Sequence, residues 1–436
     1  MKIIYTLLLL FFSSISLNAT TYTSTQNGNW MSFTTWSPMG VPLPGDDVII
    51  NHNVSLDTSF AYTSGSITVN SGGSLIQNNP TRDIWLNGTN AAFTNHGTTT
   101  VRYFLLSSGA FTNTGFLTFN AAANYLVLNN DGGINCLDSL YNDGIIDNNG
   151  YINVPTFYID SNGSMYNYGT IQGLSTIVDS LWNNGSFTNY AGAKLLADSA
   201  TNNGFFTNNG NIQFLQFTNF TNGTFTNNDS LSFTDMTNMG DFTNNGIISG
   251  ANSMWNNEYF DNTANGEIII TNGFLNADTI TNTATFNNDG NFDIGDSFYN
   301  FNTITGTSTG SFTVQDSSVN YGSMIGSFDF CDATPPSTSP FVDYDFGTID
   351  VNITYCQVSI AENSQMDNIA VYPNPTSNWV FFNDTYQVEV YNGMGSLLLI
   401  ASTDKINLTN YTSGVYLLKI SKRNTQQKGC YKIIKE

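Results

Sequence analysis

An asparagine returns through this chain at an interval near 19 residues, at positions 142, 167, 183, 202, 219, 238, 256, 282, 300 and 320. Two residues before it stands an apolar side chain: Leu140, Met165, Leu181, Ala200, Phe217, Met236, Met254, Ile280 or Phe298, with Ser318 the exception. A repeat of this length, built from pieces too short for helices, marks a solenoid, in which each unit buries its apolar face only against the next.

Within one unit, Asp179 to Ala197 (DSLWNNG, SFTNYAG, AKLLA), apolar and polar residues alternate briefly and then break at Asn or Gly. Alternation of period two is strand geometry. In the tripeptide FTN, which begins at Phe93, Phe111, Phe187, Phe206, Phe217, Phe220, Phe225 and Phe242, Phe and Asn share one face and Thr takes the other. The same parity places Leu181 and Asn183 inside and Trp182 outside. The expected fold is all-β: a parallel β-helix of about 19 residues and three short strands per coil, with Asn-Gly bends at positive φ, followed by a small C-terminal β-sandwich. Stacked asparagines, which supply 62 of 436 residues, then bond amide to amide along the axis. An array of separate sandwiches would space its strands without this common phase.

Five segments follow: a signal peptide (1–19), an N-terminal capping module (20–60), the repeats (61–328), a disulfide-closed cap and linker (329–366) and a distinct C-terminal domain (367–436). The repeats have room for about 14 coils, a rod on the order of 65 Å. Lys2, the apolar run Ile3 to Phe12 and the small residue Ala19 form the export signal. That run is too short for a membrane span, and no other long apolar stretch exists, so no transmembrane segment is expected. Formal net charge is −22, and between Thr20 and Asp404 only Arg82, Arg102 and Lys194 are basic. Such a body argues against nucleic acid and anionic membranes as partners. In an oxidising compartment Cys331 and Cys356, which bracket a Pro-rich loop, are expected to pair, a closure contributing up to about 3 kcal/mol. Cys136 is expected reduced inside a coil, and Cys430 has no evident partner.

The last 70 or so residues lose the Asn-Gly repeats, gain seven basic residues and show seven strand-like runs. Tyr372-Pro373-Asn374-Pro375 opens the segment, VEVYNGMGSLLL carries Gly393 and Gly395, INLTNYTSGVYLLKI carries Gly414 and Tyr416, and a basic strand holding Lys432 and Lys435 closes it. This resembles the C-terminal sorting domain (type A) of the type IX secretion system of Bacteroidetes, although Ser396 stands where that family commonly has a basic residue. The resemblance implies passage across the outer membrane by the type IX machinery, removal of the domain, and attachment to surface polysaccharide or release: a secreted or cell-surface protein. Near the start, Trp30, Trp36, Pro42, Pro44, Gly45, Asp46 and Asp47 resemble the opening module of bacterial adhesin-like β-helices. Such a module makes sense as a cap on the first coil.

Chemistry is sparse. His52 and His96 lack a His or Cys neighbour at ligand spacing, the lone glutamates Glu258 and Glu267 could share one coil's edge, and no catalytic residue, metal or cofactor is assigned. Longer steps after Asn142 and Asn256 mark two insertions. The expectation is a non-enzymatic, adhesin-like surface protein that binds host or environmental glycans, with a β-helical polysaccharide lyase or glycoside hydrolase as the alternative. Glycan contact falls to outward aromatics that precede the repeat Asn: Tyr141, Tyr166, Trp182, Trp255 and Tyr299. Four residues before the Asn, Asp occurs at 138, 179, 198, 278, 296 and 316. With Asp229, several of these open Asp-Ser/Thr-apolar triplets that resemble a Bacteroidetes O-glycosylation motif, at Ser139, Ser180, Ser199, Ser230 and Thr279.

Overall fold

The computed structural model describes residues 19–173, 178–278, 284–334, 342–356, 369–392, 397–421 and 428–436. Residues 1–18 of the predicted signal peptide lie outside them. Two compact units divide the chain, Met1–Cys356 and Gln357–Glu436.

The first unit is a parallel β-solenoid of about 14 turns. Each coil adds one strand to each of three parallel sheets, here called A, B and C in the order the chain visits them. One coil shows the pattern: Asp235–Asn238 in sheet A, Asp241–Asn244 in B and Ile247–Gly250 in C, after which Met254–Asn256 returns to A. Met236 then pairs with Met254, Phe242 with Phe260, and Ile248 with Ile268. Identical register from coil to coil puts like residues above like, so each interior position becomes a file of one chemistry.

The interior file of sheet B is aromatic. Phe187, Phe206, Phe225, Phe242, Phe260 and Phe286 are buried in register. Their ring centroids step by 4.5 to 4.8 Å, near-parallel throughout. Strand spacing thus sets a distance at which offset rings attract.

Two asparagine ladders, not one, run through the solenoid. In sheet B, eleven buried residues from Asn95 through Asn167 to Asn288 are linked by ten hydrogen bonds, each from Nδ2 to the Oδ1 of the next coil, at 2.6 to 3.0 Å. In sheet A, Asn124 bonds to Asn142 and a second run leads from Asn183 to Asn320, which donates to Asp345. The single count along the sequence therefore changes ladder. Asn167 belongs to sheet B, and its place in sheet A is held by Ile159. The place given to Asn282 belongs to Asn276, between Asn256 and Asn300; Asn282 lies outside the described residues. Because strands of both sheets end in Asn, local spacing alone does not say which ladder a given Asn joins. The two longer steps move accordingly: 24 residues separate Asn276 from Asn300, and 183 − 159 = 24 separate Ile159 from Asn183.

Ile159 leaves a mark on its ladder. Asn183 Oδ1, which would accept from an Asn at 159, is buried without a hydrogen-bond partner. An unmet acceptor of this kind costs about 1–3 kcal/mol. Ile159→Asn is accordingly expected to change unfolding free energy by less than about 1 kcal/mol, since the restored ladder offsets the lost hydrocarbon. Ile146→Asn, at a buried site with no ladder, is expected to cost about 4 kcal/mol. Denaturant melts of both variants compare the two directly.

Other details differ from expectation for local reasons. None of the described Asn-Gly pairs has its glycine at positive φ, which occurs instead at sites such as Gly72 and Gly192. Corner glycines are required by space: a Cβ on Gly150 would stand 1.9 Å from the carbonyl oxygen of Gly132. The FTN at Phe220 is a corner, not a strand. Asn219 has already ended its strand, Gly223 N bonds back to Phe220 O, and the Phe220 ring is exposed.

Both ends of the stack are closed by bulky or covalent contacts. Trp30 and Trp36 are buried edge-to-face at 5.3 Å, Trp36 Nε1 donates to Trp30 O, and Phe60 stacks beneath at 4.7 Å. At the other end, Tyr344–Asp345, Thr348–Ile349 and Thr354–Tyr355 add a strand to sheets A, B and C. Coil structure thus continues beyond residue 328. Cys331 and Cys356 form the expected disulfide, joining adjacent coils. Cys136 is a free, buried thiol whose pKa burial pushes up to about 12.

The second unit is a five-stranded antiparallel sheet of Val371–Tyr372, Trp379–Asn392, Leu397–Asn407, Gly414–Ser421 and Lys428–Lys435. The seven strand-like runs merge because Trp379–Asn392 and Leu397–Asn407 continue through a register shift. Val380, Val388, Val390, Leu418, Ile420 and others form its core.

Candidate functional site

Parallel stacking turns every outward position of sheet A into a straight file along the solenoid. Tyr141, Tyr158 and Trp182 occupy consecutive coils of that file. Thr201, Thr218 and Thr237 follow, then Trp255, Leu275 and Tyr299. Tyr158, Trp182, Trp255 and Tyr299 are 40, 43, 50 and 37% exposed, so each is partly open to solvent. Tyr158 and Trp182 lie near-parallel at 6.3 Å. The Tyr141 hydroxyl donates to the Asp160 carboxylate, a bond that raises the pKa of the phenol and lowers that of the acid.

Four of the five aromatics expected to line a binding face are therefore brought together in one sheet. Tyr166 is not among them: it stands in sheet B between Asp147 and Thr188, because the Asn that follows it belongs to the other ladder. Tyr158 was missed for the converse reason, since Ile159 rather than Asn follows it. Its signal was the spacing of 17 residues from Tyr141 (158 − 141), the length of a short coil.

Sheet B carries a hydrophilic file, with Thr188, Thr207, Thr226 and Thr243 in register. Another aromatic group, Phe301, Tyr321 and Phe346, sits on the corner from A to B. These rings stack on one another at 5.0 Å, which occupies their faces and leaves mainly edges to solvent.

Ser139, Thr156, Ser180 and Ser199 also share a file in sheet A, one step from the aromatic one. Ser230 opens a strand of sheet C, and Thr279 lies outside the described residues. Asp138, Asp179 and Asp198 lie within strands where these enter sheet A, Asp296 and Asp316 precede sheet A strands, and Asp278 follows one.

The residues considered for chemistry do not converge. His52 Nδ1 lies 3.1 Å from Ser24 Oγ and His96 Nδ1 lies 2.6 Å from Thr114 Oγ1, each a pairing with the preceding or following coil. Glu258 sits on the corner before a sheet B strand, while Glu267 opens a sheet C strand, so they do not share a corner. Among the described residues, no group of three or more His, Cys, Asp or Glu is placed to hold a metal ion.

In the second unit, Asn374 behaves as a short piece of strand. Its Nδ2 donates to Lys432 O at 2.7 Å and its Oδ1 accepts from Ile434 N at 2.9 Å. Thr376 continues the pairing: its N donates to Ile434 O and its O accepts from Glu436 N. The Tyr372-Pro373-Asn374-Pro375 segment thus zips the start of the unit to its last strand, and the sheet curls until its ends meet. Tyr372 itself is exposed and stacks on Phe381. Tyr416 is buried with its hydroxyl donating to Thr412 O. Lys432 points outward, whereas Lys435, opposite Gly414, is nearly buried. Gly393 and Gly395 lie outside the described residues.

Residues 370–436 match the family model described as a secretion system C-terminal sorting domain. The second unit is a type IX sorting domain. No curated protein and no solved structure matches the chain. The sorting domain directs the protein through type IX secretion to the cell surface or extracellular space and implies contact with that machinery, as for other secreted β-helix proteins of Bacteroidetes. Among the described residues, no helix is long and apolar enough to cross a membrane.

The Asn374 pairing gives the sorting domain a testable joint. Asn374→Ala is expected to cost about 1 kcal/mol, because the two bonds are solvent-accessible. Hydrogen exchange at the Ile434 amide should quicken several-fold, while the Val388 and Leu418 amides stay unchanged.

Proposed function

We propose that the exported solenoid is a non-catalytic, adhesin-like body that binds glycans through the outward face of sheet A. The observation carrying this reading is the run of Tyr141, Tyr158 and Trp182 on three successive coils, in register, with Tyr158 and Trp182 exposed and Tyr141 partly buried. Aromatic rings aligned on a sheet surface offer the apolar faces of sugar rings a stacking partner, and their phenol and indole groups add hydrogen bonding at the rim. Exposed aromatics that are aligned, rather than scattered, mark interaction surfaces. The dispersal of His52, His96, Glu258 and Glu267 supports a binding role over hydrolysis, which needs two carboxylates facing one bond. Attachment to a surface polysaccharide after export fits the same picture, with the solenoid projecting its glycan-binding face outward.

A glycan array probed with the purified exported chain, alongside a panel of plant and algal polysaccharides assayed for new reducing ends, tests both halves. Glycan binding without turnover is expected. Turnover of any polysaccharide rejects the non-catalytic claim, and an array without signal rejects the binding claim.

A further inference from the structure

The aromatic file of sheet A is interrupted, and the interruption has a shape. Between Trp182 and Trp255 stand three threonines, Thr201, Thr218 and Thr237. Here the surface sinks into an open groove of about 430 Å³ lined by Gln216, Thr218, Asp235, Thr237, Ser253 and Trp255, among others. Hydroxyls, an amide and a carboxylate therefore line the floor and wall between two aromatic platforms. Asp235 is held in place by bonds from Asn252 Nδ2 at 2.6 Å and Ser253 N at 3.3 Å.

Charge narrows what can lie there. The first unit has three Lys or Arg side chains among its described residues, Arg82, Arg102 and Lys194. Arg102 is engaged by Asp83, Lys194 opens a sheet C strand, and Arg82 lies outside the strands. None stands in the sheet A file. An anionic polymer would meet the field of an acidic protein with no cation along its path to offset the repulsion.

Resting on the glycan-binding reading above, we infer that the ligand is an uncharged, linear polysaccharide that spans both aromatic platforms and the polar groove between them. Trp182 and Trp255 are four coils apart, about 19 Å at the strand spacing. That span is beyond a monosaccharide or disaccharide but natural for an extended chain lying along the solenoid axis. Rings stack on Tyr158 and Trp182 at one end and on Trp255 and Tyr299 at the other. The groove's threonines, Gln216 and Asp235 take the ring hydroxyls in between. Binding at two platforms by one chain makes the second contact effectively intramolecular, so affinity rises steeply with ligand length.

Titration of the full exported chain with cellobiose, cellohexaose, soluble β-glucan and polygalacturonate, by calorimetry and affinity electrophoresis, tests this. The expected result is retardation by β-glucan, hexaose binding at least roughly tenfold tighter than disaccharide, and little affinity for polygalacturonate at low salt. Trp182→Ala and Trp255→Ala should each weaken β-glucan binding about tenfold with unchanged melting temperature, and the double variant should abolish it. Tighter binding of polygalacturonate overturns the charge class. A Trp255→Ala variant that binds as well as the parent overturns the two-platform geometry. In either case the broader glycan-binding reading stands. Absence of binding by any glycan on the array and in this titration sinks both.

Discussion

Asn227→Asp is expected to destabilise the solenoid by at least about 4 kcal/mol. Asn227 accepts from Asn208 Nδ2 at 2.8 Å and donates to Asn244 Oδ1 at 2.8 Å and to the backbone oxygens of Asp229 and Ile247. It is fully buried. Aspartate is nearly isosteric but has no hydrogens to give when ionised. Its second oxygen would face three acceptors, and a buried charge would gain no cation. Protonation relieves the charge but restores only one of the donated bonds. A repeat array couples mainly to nearest neighbours, so the loss should concentrate in adjacent coils rather than spread evenly. Hydrogen exchange should then show protection lost around residues 205–250 at denaturant concentrations where coils near residue 150 stay protected. The adjacent Asn228, exposed and bonded to Asn209 in a solvent-side ladder, supplies the control. Asn228→Asp is expected to cost less than about 0.5 kcal/mol. Similar losses for the two variants would mean that the interior ladder is dispensable.

Phe242→Ala is expected to cost about 3–5 kcal/mol. The Phe242 ring lies between Phe225 at 4.8 Å and Phe260 at 4.5 Å, near-parallel to both. Removing it leaves a cavity whose roof and floor are rings held by the registered backbones of neighbouring coils. Strand spacing prevents those coils from closing the gap, so the void persists and its full energetic penalty is felt. Thermal and denaturant unfolding measure the loss. Phe242→Leu, which refills part of the volume, should recover more than half of it. The neighbouring Thr243, on the outward side of the same strand, should tolerate alanine within about 0.5 kcal/mol.

Much of this molecule could be read before any coordinates. Period-two alternation identified strands, and the recurrence near 19 residues identified stacking. The parity of FTN placed Phe and Asn inside and Thr outside in seven of its eight occurrences, failing at Phe220, where a corner interrupts the strand. The Cys331–Cys356 pairing and the sorting domain were equally legible, one from two cysteines that bracket a Pro-rich loop and the other from several independent motifs. The candidate site was legible only in part. Trp182, Trp255, Tyr141 and Tyr299 were found through the Asn that follows each, and the same rule misplaced Tyr166 and passed over Tyr158.

What the amino-acid order determined alone was local: which residues alternate, which side of a strand each one takes, and that the chain must stack upon itself to bury its apolar face. Which coil sits on which, and therefore which aromatics share a file, was decided only by tertiary registration. Interior amides and rings fix that register by bonding to their counterparts one coil away. Because coils differ in length, residues that meet in space keep no constant separation along the chain. The two ladders, the unpaired acceptor beside Ile159 and the groove between Trp182 and Trp255 all arise from that registration.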